Sequence, residues 1–169
     1  MKHFSRVFIS IGSNMGDRYA NCITGIDLLN SLETTSVTKV SDFYYTQPVD
    51  FTDQDWFVNG ALELETGLDP FVLMKQLKQL ENHAGQFEKP VRFGPRLLDL
   101  DIIFFGNRIL NHTDLIVPHP RMDKRCFVLK PLCDIASDFT HPVSGEKVAD
   151  LLKKIQHLKD QKVILYNFN

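Results

Sequence analysis

The stretch Arg92-Phe93-Gly94-Pro95-Arg96-Leu97-Leu98-Asp99-Leu100-Asp101-Ile102-Ile103 carries two aspartates inside an apolar run. A strand sends alternate side chains to opposite faces. Read as a strand, it puts Asp99 and Asp101 on one face, followed by Ile103 and Phe105, with Leu98, Leu100, Ile102 and Phe104 on the other. Apolar residues on both faces predict a strand covered on both sides. Two carboxylates leaving water there need a partner, and a hard divalent cation with oxygen ligands suits an adjacent acidic pair. Arg92 and Arg96 precede the strand on a Gly-Pro segment. Cations beside a metal-binding acidic pair point to a polyanionic, metal-bound substrate such as a nucleoside triphosphate. The competing reading is two acids at a strand end, salt-bridged to Arg92 and Arg96; a D-x-D alone does not separate the two.

With 169 residues, 43% of them hydrophobic, residues 1–169 are expected to form a single domain with a real core. A net charge of -2 provides no general field for nucleic acid or an anionic membrane, so any anion site must be local. No segment reads as a signal peptide or spanning helix. Cys22, Cys126 and Cys133 are odd in number and lie in apolar segments. They read as buried thiols of a cytoplasmic protein, not as a disulfide framework or a zinc site.

Val7 to Ile11 is a short β-rich run that ends in Gly12-Ser13-Asn14-Met15-Gly16-Asp17, a turn in which Asn14 or Asp17 caps the next helix. Tyr19, Ile23, Ile26, Leu29 and Leu32 then recur at helical spacing. Ser36 to Thr46 reads as one strand, residues 50–55 as a mobile polar loop, and Trp56 to Thr66 as a clear strand. Phe57 and Asn59 share one face of that last strand. An aromatic beside an amide can hold a flat heterocycle by stacking and paired hydrogen bonds, although ordinary strand residues look the same. Asp69-Pro70 starts a helix with Phe71, Met74, Leu77, Leu80 and Ala84 inward and Glu81 as a surface acid; Gly85 ends it. Residues 86–95 form a charged loop with the features of a lid. Gly106-Asn107 is a turn, Val148 to Ile155 an amphipathic helix, and residues 163–166 an edge strand. Strands and helices mix without strict βαβ alternation, which predicts an α+β fold: a mainly antiparallel sheet with helices on its faces.

The run R-x-G-P-R-x-x-D-L-D-I-I closely resembles the signature of the 6-hydroxymethyl-7,8-dihydropterin pyrophosphokinases of folate biosynthesis. The likeness extends from Ile11-Gly12-Ser13-Asn14 to Leu132, and Val117-Pro118-His119-Pro120-Arg121-Met122-Asp123-Lys124-Arg125-Cys126-Phe127-Val128-Leu129 follows the family's V-P-H-x-x-M-x-x-R-x-F-V-L. It implies a ferredoxin-like α/β sandwich, with Asp99 and Asp101 on two Mg2+ ions. It implies triphosphate contacts from Arg92, Arg96, His119 and Arg125, with Glu81 and Ile102 also at the ATP end. A pterin would stack between Phe57 and Phe127, with Asn59 and main-chain groups of Thr46, Gln47 and Val49 on its edge. The chain departs from the family pattern at Gln86 and Glu88, where cations are usual, and at Pro120, Asp114 and Ile116.

The reading is therefore an ATP-dependent pyrophosphokinase acting on ATP and a reduced pterin, expected to work as a monomer or a weak oligomer without nucleic acid or membrane partners. The residues alone permit attack on either the β- or the γ-phosphorus; the resemblance implies β. The alternative is a ferredoxin-like small-molecule-binding module with an incidental D-x-D.

Overall fold

The structure, a computed structural model, describes residues 3–85 and 92–167. Its frame is an antiparallel sheet of six strands: β1 (Ser5–Ser13), β2 (Thr35–Val40), β3 (Tyr44–Thr46), β4 (Phe57–Thr66), β5 (Asp99–Phe105) and β8 (Val163–Leu165). The spatial order is β5-β1-β4-β3-β8, with β2 also on β4. A two-residue pair, β6 (Leu110–Asn111) and β7 (Ile116–Val117), lies apart. Four helices cover the sheet: α1 (Arg18–Asn30), α2 (Pro70–His83), α3 (Cys126–Ala136) and α4 (Val148–Ile155). The unit β1-α1-β2-β4-α2-β5 is the split βαβ arrangement of a ferredoxin-like sandwich.

Local chemistry places these elements. Asp17 accepts the Ala20 N–H at 3.0 Å and caps α1; Asp69 does the same for Phe71, with Pro70 at the first helical position. One face of the sheet buries Val7, Ile9, Ile11, Leu62 and Leu64 against Cys22 and Leu29 of α1 and Leu73 and Leu77 of α2. The other buries Phe8, Ala61 and Phe104 against Val128, Leu129 and Leu132 of α3 and Leu151 of α4. Helix α3 forms despite Pro131 in its interior. Proline there costs about 3 kcal/mol, and the buried Val128, Leu129, Leu132 and Ala136 offset it.

Three expectations about elements are corrected. The strand expected over Ser36–Thr46 is two strands, both on β4. Ser41 spans the gap: its N–H donates to the Ala61 carbonyl at 2.9 Å and its Oγ accepts the Ala61 N–H at 2.8 Å. In β5 the alternation breaks at a bulge. Phe8 pairs with Phe104 and Ile9 with Ile102, so Ile103 is an extra residue. Phe104 therefore joins the α3 face and Phe105 the α1 face, opposite to the simple alternation. In α2, Phe71 is exposed, edge-on to His112, and Leu73 takes the inward position. The cysteines are free thiols, Cys22 and Cys126 buried and Cys133 half-buried. Among the described residues, no helix is long and apolar enough to cross a membrane.

Candidate active site

The polar end of the α3-facing side of the sheet is where the chemistry-bearing residues meet. Asp99 lies opposite Gly12, and Gly12 opposite Asn59, so three strands set the three residues in a row; Asp101 lies opposite Ser10. Glycine is required in the middle of that row. A Cβ on Gly12 would sit 2.2 Å from Asn59 Oδ1. Asn59 is buried, and its Nδ2 donates to Thr46 Oγ1 at 2.6 Å.

Loops roof this end, and Asn14 ties them together. Its Nδ2 donates to Gln54 Oε1 at 3.0 Å and to the Asp55 carbonyl at 2.9 Å, while its Oδ1 accepts the Arg96 N–H at 2.8 Å. Gln54 Nε2 donates in turn to the Phe93 carbonyl at 2.8 Å, and Arg18 donates to the Trp56 carbonyl at 2.8 Å. The 50–55 loop, expected to be mobile, is thus anchored at several points. The bulge at Ile103 also contributes: its carbonyl accepts the His119 N–H at 2.9 Å and fixes that segment against β5.

The result is a cavity of about 260 Å³. Thr46, Gln47, Val49, Phe57, Asn59, Phe127, Arg92, Arg96, Asp99, Asp101, His119 and Arg125 all line it. These twelve residues come from four separate regions of the chain, 46–49, 57–59, 92–101 and 119–127. Of the residues expected at the site, Ile102 and Glu81 do not line it. Ile102 is buried in the core against α1 and α2. Glu81 is no surface acid: it is buried, and its Oε1 accepts the Leu100 N–H at 2.8 Å. Gln86, Phe87 and Glu88, with the rest of 86–91, lie outside the described residues. Sequence reasoning missed Asp50, Gln54 and Arg121 as cavity residues. Asp50 Oδ2 is 2.6 Å from Arg125 Nη2 and 3.6 Å from Arg121 Nη1. Only the aspartates of that loop, Asp50, Asp53 and Asp55, could have pointed to it.

The electrostatics bear on the ion-pair reading of the aspartate pair. Among the described residues, no ion pair reaches Asp99 or Asp101, so the pair is not neutralised by direct bridges to Arg92 or Arg96. Burial pushes the Asp99 carboxyl up to about 8, and the Asp101 and Glu81 charges add to the rise. Burial also raises Glu81, against the opposing charge of Lys78. Burial lowers His119; its Nδ1 accepts the Arg121 N–H at 3.2 Å, so the neutral ring carries its proton on Nε2. Two carboxylates open on the cavity, and among the described residues no group of three or more His, Cys, Asp or Glu forms a metal cluster; a hard cation held by this pair would need its other ligands from water or phosphate.

The family model for 7,8-dihydro-6-hydroxymethylpterin-pyrophosphokinase (HPPK) matches residues 8–137. The chain is 45% identical over 128 residues to the 2-amino-4-hydroxy-6-hydroxymethyldihydropteridine pyrophosphokinase of Bacillus subtilis, a match covering 76% of each. It is 42% identical over 149 residues to the folic acid synthesis protein fol1 of Pneumocystis carinii; that match covers 88% of this chain and only 20% of the longer protein. A crystal structure of an HPPK-DHPS in complex with substrates superposes with a TM-score of 0.69 at 14% identity, over 90% of this chain and 43% of the other. The wild-type HPPK-DHPS of Plasmodium falciparum with pterin and p-hydroxybenzoate gives 0.67 at 14% identity, over 90% and 42%. At such identities the superpositions speak to the fold.

Proposed function

The chain belongs to the 7,8-dihydro-6-hydroxymethylpterin-pyrophosphokinase family, and on that premise we propose that it transfers diphosphate from ATP to the hydroxymethyl group of 6-hydroxymethyl-7,8-dihydropterin, releasing AMP. One observation carries the proposal: the aspartate pair, without an ion-pair partner among the described residues, opens on the same cavity as Arg92, Arg96, His119, Arg121 and Arg125. A site with two aspartates side by side and four arginines suits a metal-bound polyphosphate.

In this reading Asp99 and Asp101 would hold two magnesium ions, which when bound would offset the charge that develops on the phosphate oxygens. Arg96 and Arg125 bind the phosphate chain, and Arg92 reaches it from the segment before β5. His119 donates from Nε2 to a phosphate oxygen, the role its neutral tautomer allows. Phe57 and Phe127 take the faces of the pterin. Asn59 and the main chain of Thr46, Gln47 and Val49 take its edge, and Asn59 is held for this by Thr46 on one side and by the space over Gly12 on the other. The hydroxymethyl oxygen forms a bond to the β-phosphorus, the bond from that phosphorus to the bridging α,β-oxygen breaks, and the hydroxyl proton leaves to solvent. Such chemistry rests on alignment and charge stabilisation more than on a covalent role for the protein. The free thiols suit a reducing cytoplasm, where we place the enzyme, acting as a monomer.

The test is AMP release from ATP, with magnesium and the pterin alcohol each present or omitted. AMP formed only when both are present supports the reading. ADP as product would mean attack at the γ-phosphorus, and absence of turnover with intact pterin binding would make the chain a binding module.

A further inference from the structure

Arg121 has no role in the reading above beyond its charge, yet its surroundings are built. Phe93 sits at φ 60, the left-handed region that a bulky side chain rarely enters. Such a backbone costs on the order of 1–3 kcal/mol and persists where its surroundings hold it. Here Gln54 holds the Phe93 carbonyl at 2.8 Å, and Asn14 holds Gln54. The ring so placed carries two guanidinium groups, Arg121 at 4.6 Å and Arg92 at 5.0 Å from its centroid. Both arginines line the cavity. Stacking on an aromatic face fixes a guanidinium plane while leaving its N–H fork open to an anion. The fork of Arg121 already faces one: Asp50 Oδ2, 3.6 Å from Nη1 and shared with Arg125. A carboxylate bridging two arginines occupies the kind of position a phosphate oxygen would take.

We propose that Arg121 is a further phosphate-binding residue of this site, set by the ring of Phe93 beside Arg92, with Asp50 standing in for the phosphate until nucleotide displaces it. The proposal rests on the pyrophosphokinase reading for the identity of the ligand, a nucleoside triphosphate.

Titration calorimetry with α,β-methylene-ATP and magnesium, beside AMP, tests it on the full chain. Arg121→Ala should weaken the analogue roughly 10- to 100-fold, the effect of losing a charge-assisted hydrogen bond, and change AMP affinity less than about twofold. Arg121→Lys should fall between, since it keeps the charge and loses the stack. Phe93→Leu should shift analogue affinity in the same direction as Arg121→Ala. Asp50→Asn separates phosphate binding from mere loop tethering. It should leave the analogue's affinity unchanged or tighten it severalfold, because a competing carboxylate is gone. If Asp50→Asn loses as much affinity as Arg121→Ala, the arginine acts only by holding the loop and the proposal is wrong; normal analogue binding in Arg121→Ala also overturns it. If Arg121→Ala does not fold, Arg121→Lys and Asp50→Asn decide by the same signs. A parent protein that binds the analogue in this pattern but releases no AMP keeps the phosphate site and overturns the reaction. A parent that binds no analogue overturns both.

Discussion

Glu81 Oε1 accepts the Leu100 N–H at 2.8 Å, so a carboxylate of helix α2 holds the one residue that separates Asp99 from Asp101. Lys78 closes the arrangement, with its Nζ 2.9 Å from Glu81 Oε2. The aspartates are thereby set by a group that never lines the cavity. Glu81→Ala removes a buried charged acceptor and should destabilise the protein by about 2–3 kcal/mol, read as a lower midpoint in urea. Glu81→Gln keeps an acceptor for Leu100 and should lose clearly less.

Asp99 provides a pH signature. Its ordinary value is 3.8, and burial first, then Asp101 and Glu81, raise it to about 8 in the folded protein. The folded state therefore binds more protons than the unfolded state between about pH 4 and pH 8, and stability falls as pH rises through that window. Melts in EDTA at pH 5 and pH 8 should show a lower Tm at the higher pH. Asp99→Asn should flatten that difference, and magnesium should restore stability to the parent at pH 8.

The same substitution separates metal binding from an ion-pair role by activity. Asp99→Asn or Asp101→Asn relieves repulsion between like charges, so metal-free stability should hold level or rise. Turnover should drop by about two to four decades, equivalent to roughly 3–5 kcal/mol of transition-state stabilisation. Variants that melt several degrees lower in EDTA yet turn over near the parent rate would remove the metal assignment.

Gly12 is a steric prediction. The Cβ of Gly12→Ala would meet Asn59 Oδ1 at 2.2 Å and must push the amide away from Thr46. Overpacking of this kind costs about 1–3 kcal/mol. Pterin affinity should fall with it while affinity for an ATP analogue stays near normal, which calorimetry with each ligand resolves.

Phe57 and Phe127 enter the cavity from β4 and from the first turn of α3. Replacing either by Ala should weaken pterin binding by roughly 1–3 kcal/mol, the range for a base on an aromatic platform, with little effect on nucleotide. Unchanged pterin affinity in both variants would take these rings out of the site.

Several features of this protein follow from sequence because their cause is local. Asp69-Pro70 announces a helix start, because capping needs only the next few residues. Phe57 with Asn59, and Asp99 with Asp101, share a face because strand geometry has period two. Other features depend on neighbours remote in the chain. The bulge at Ile103 sends Phe104 and Phe105 to the faces opposite those that alternation assigns, because the register with β1 slips by one residue. Glu81 reads as a surface acid until the N–H of Leu100, 19 residues away, gives it a reason to be buried. Asp50 and Arg125 are 75 residues apart, and their 2.6 Å contact depends on where the sheet brings two loops together. Periodicity is a property of the chain's covalent geometry and survives in any fold. Pairing, burial and the charge each group feels are set by which distant segments share a cavity, and only the folded arrangement of β1, β4, β5 and α3 decides that.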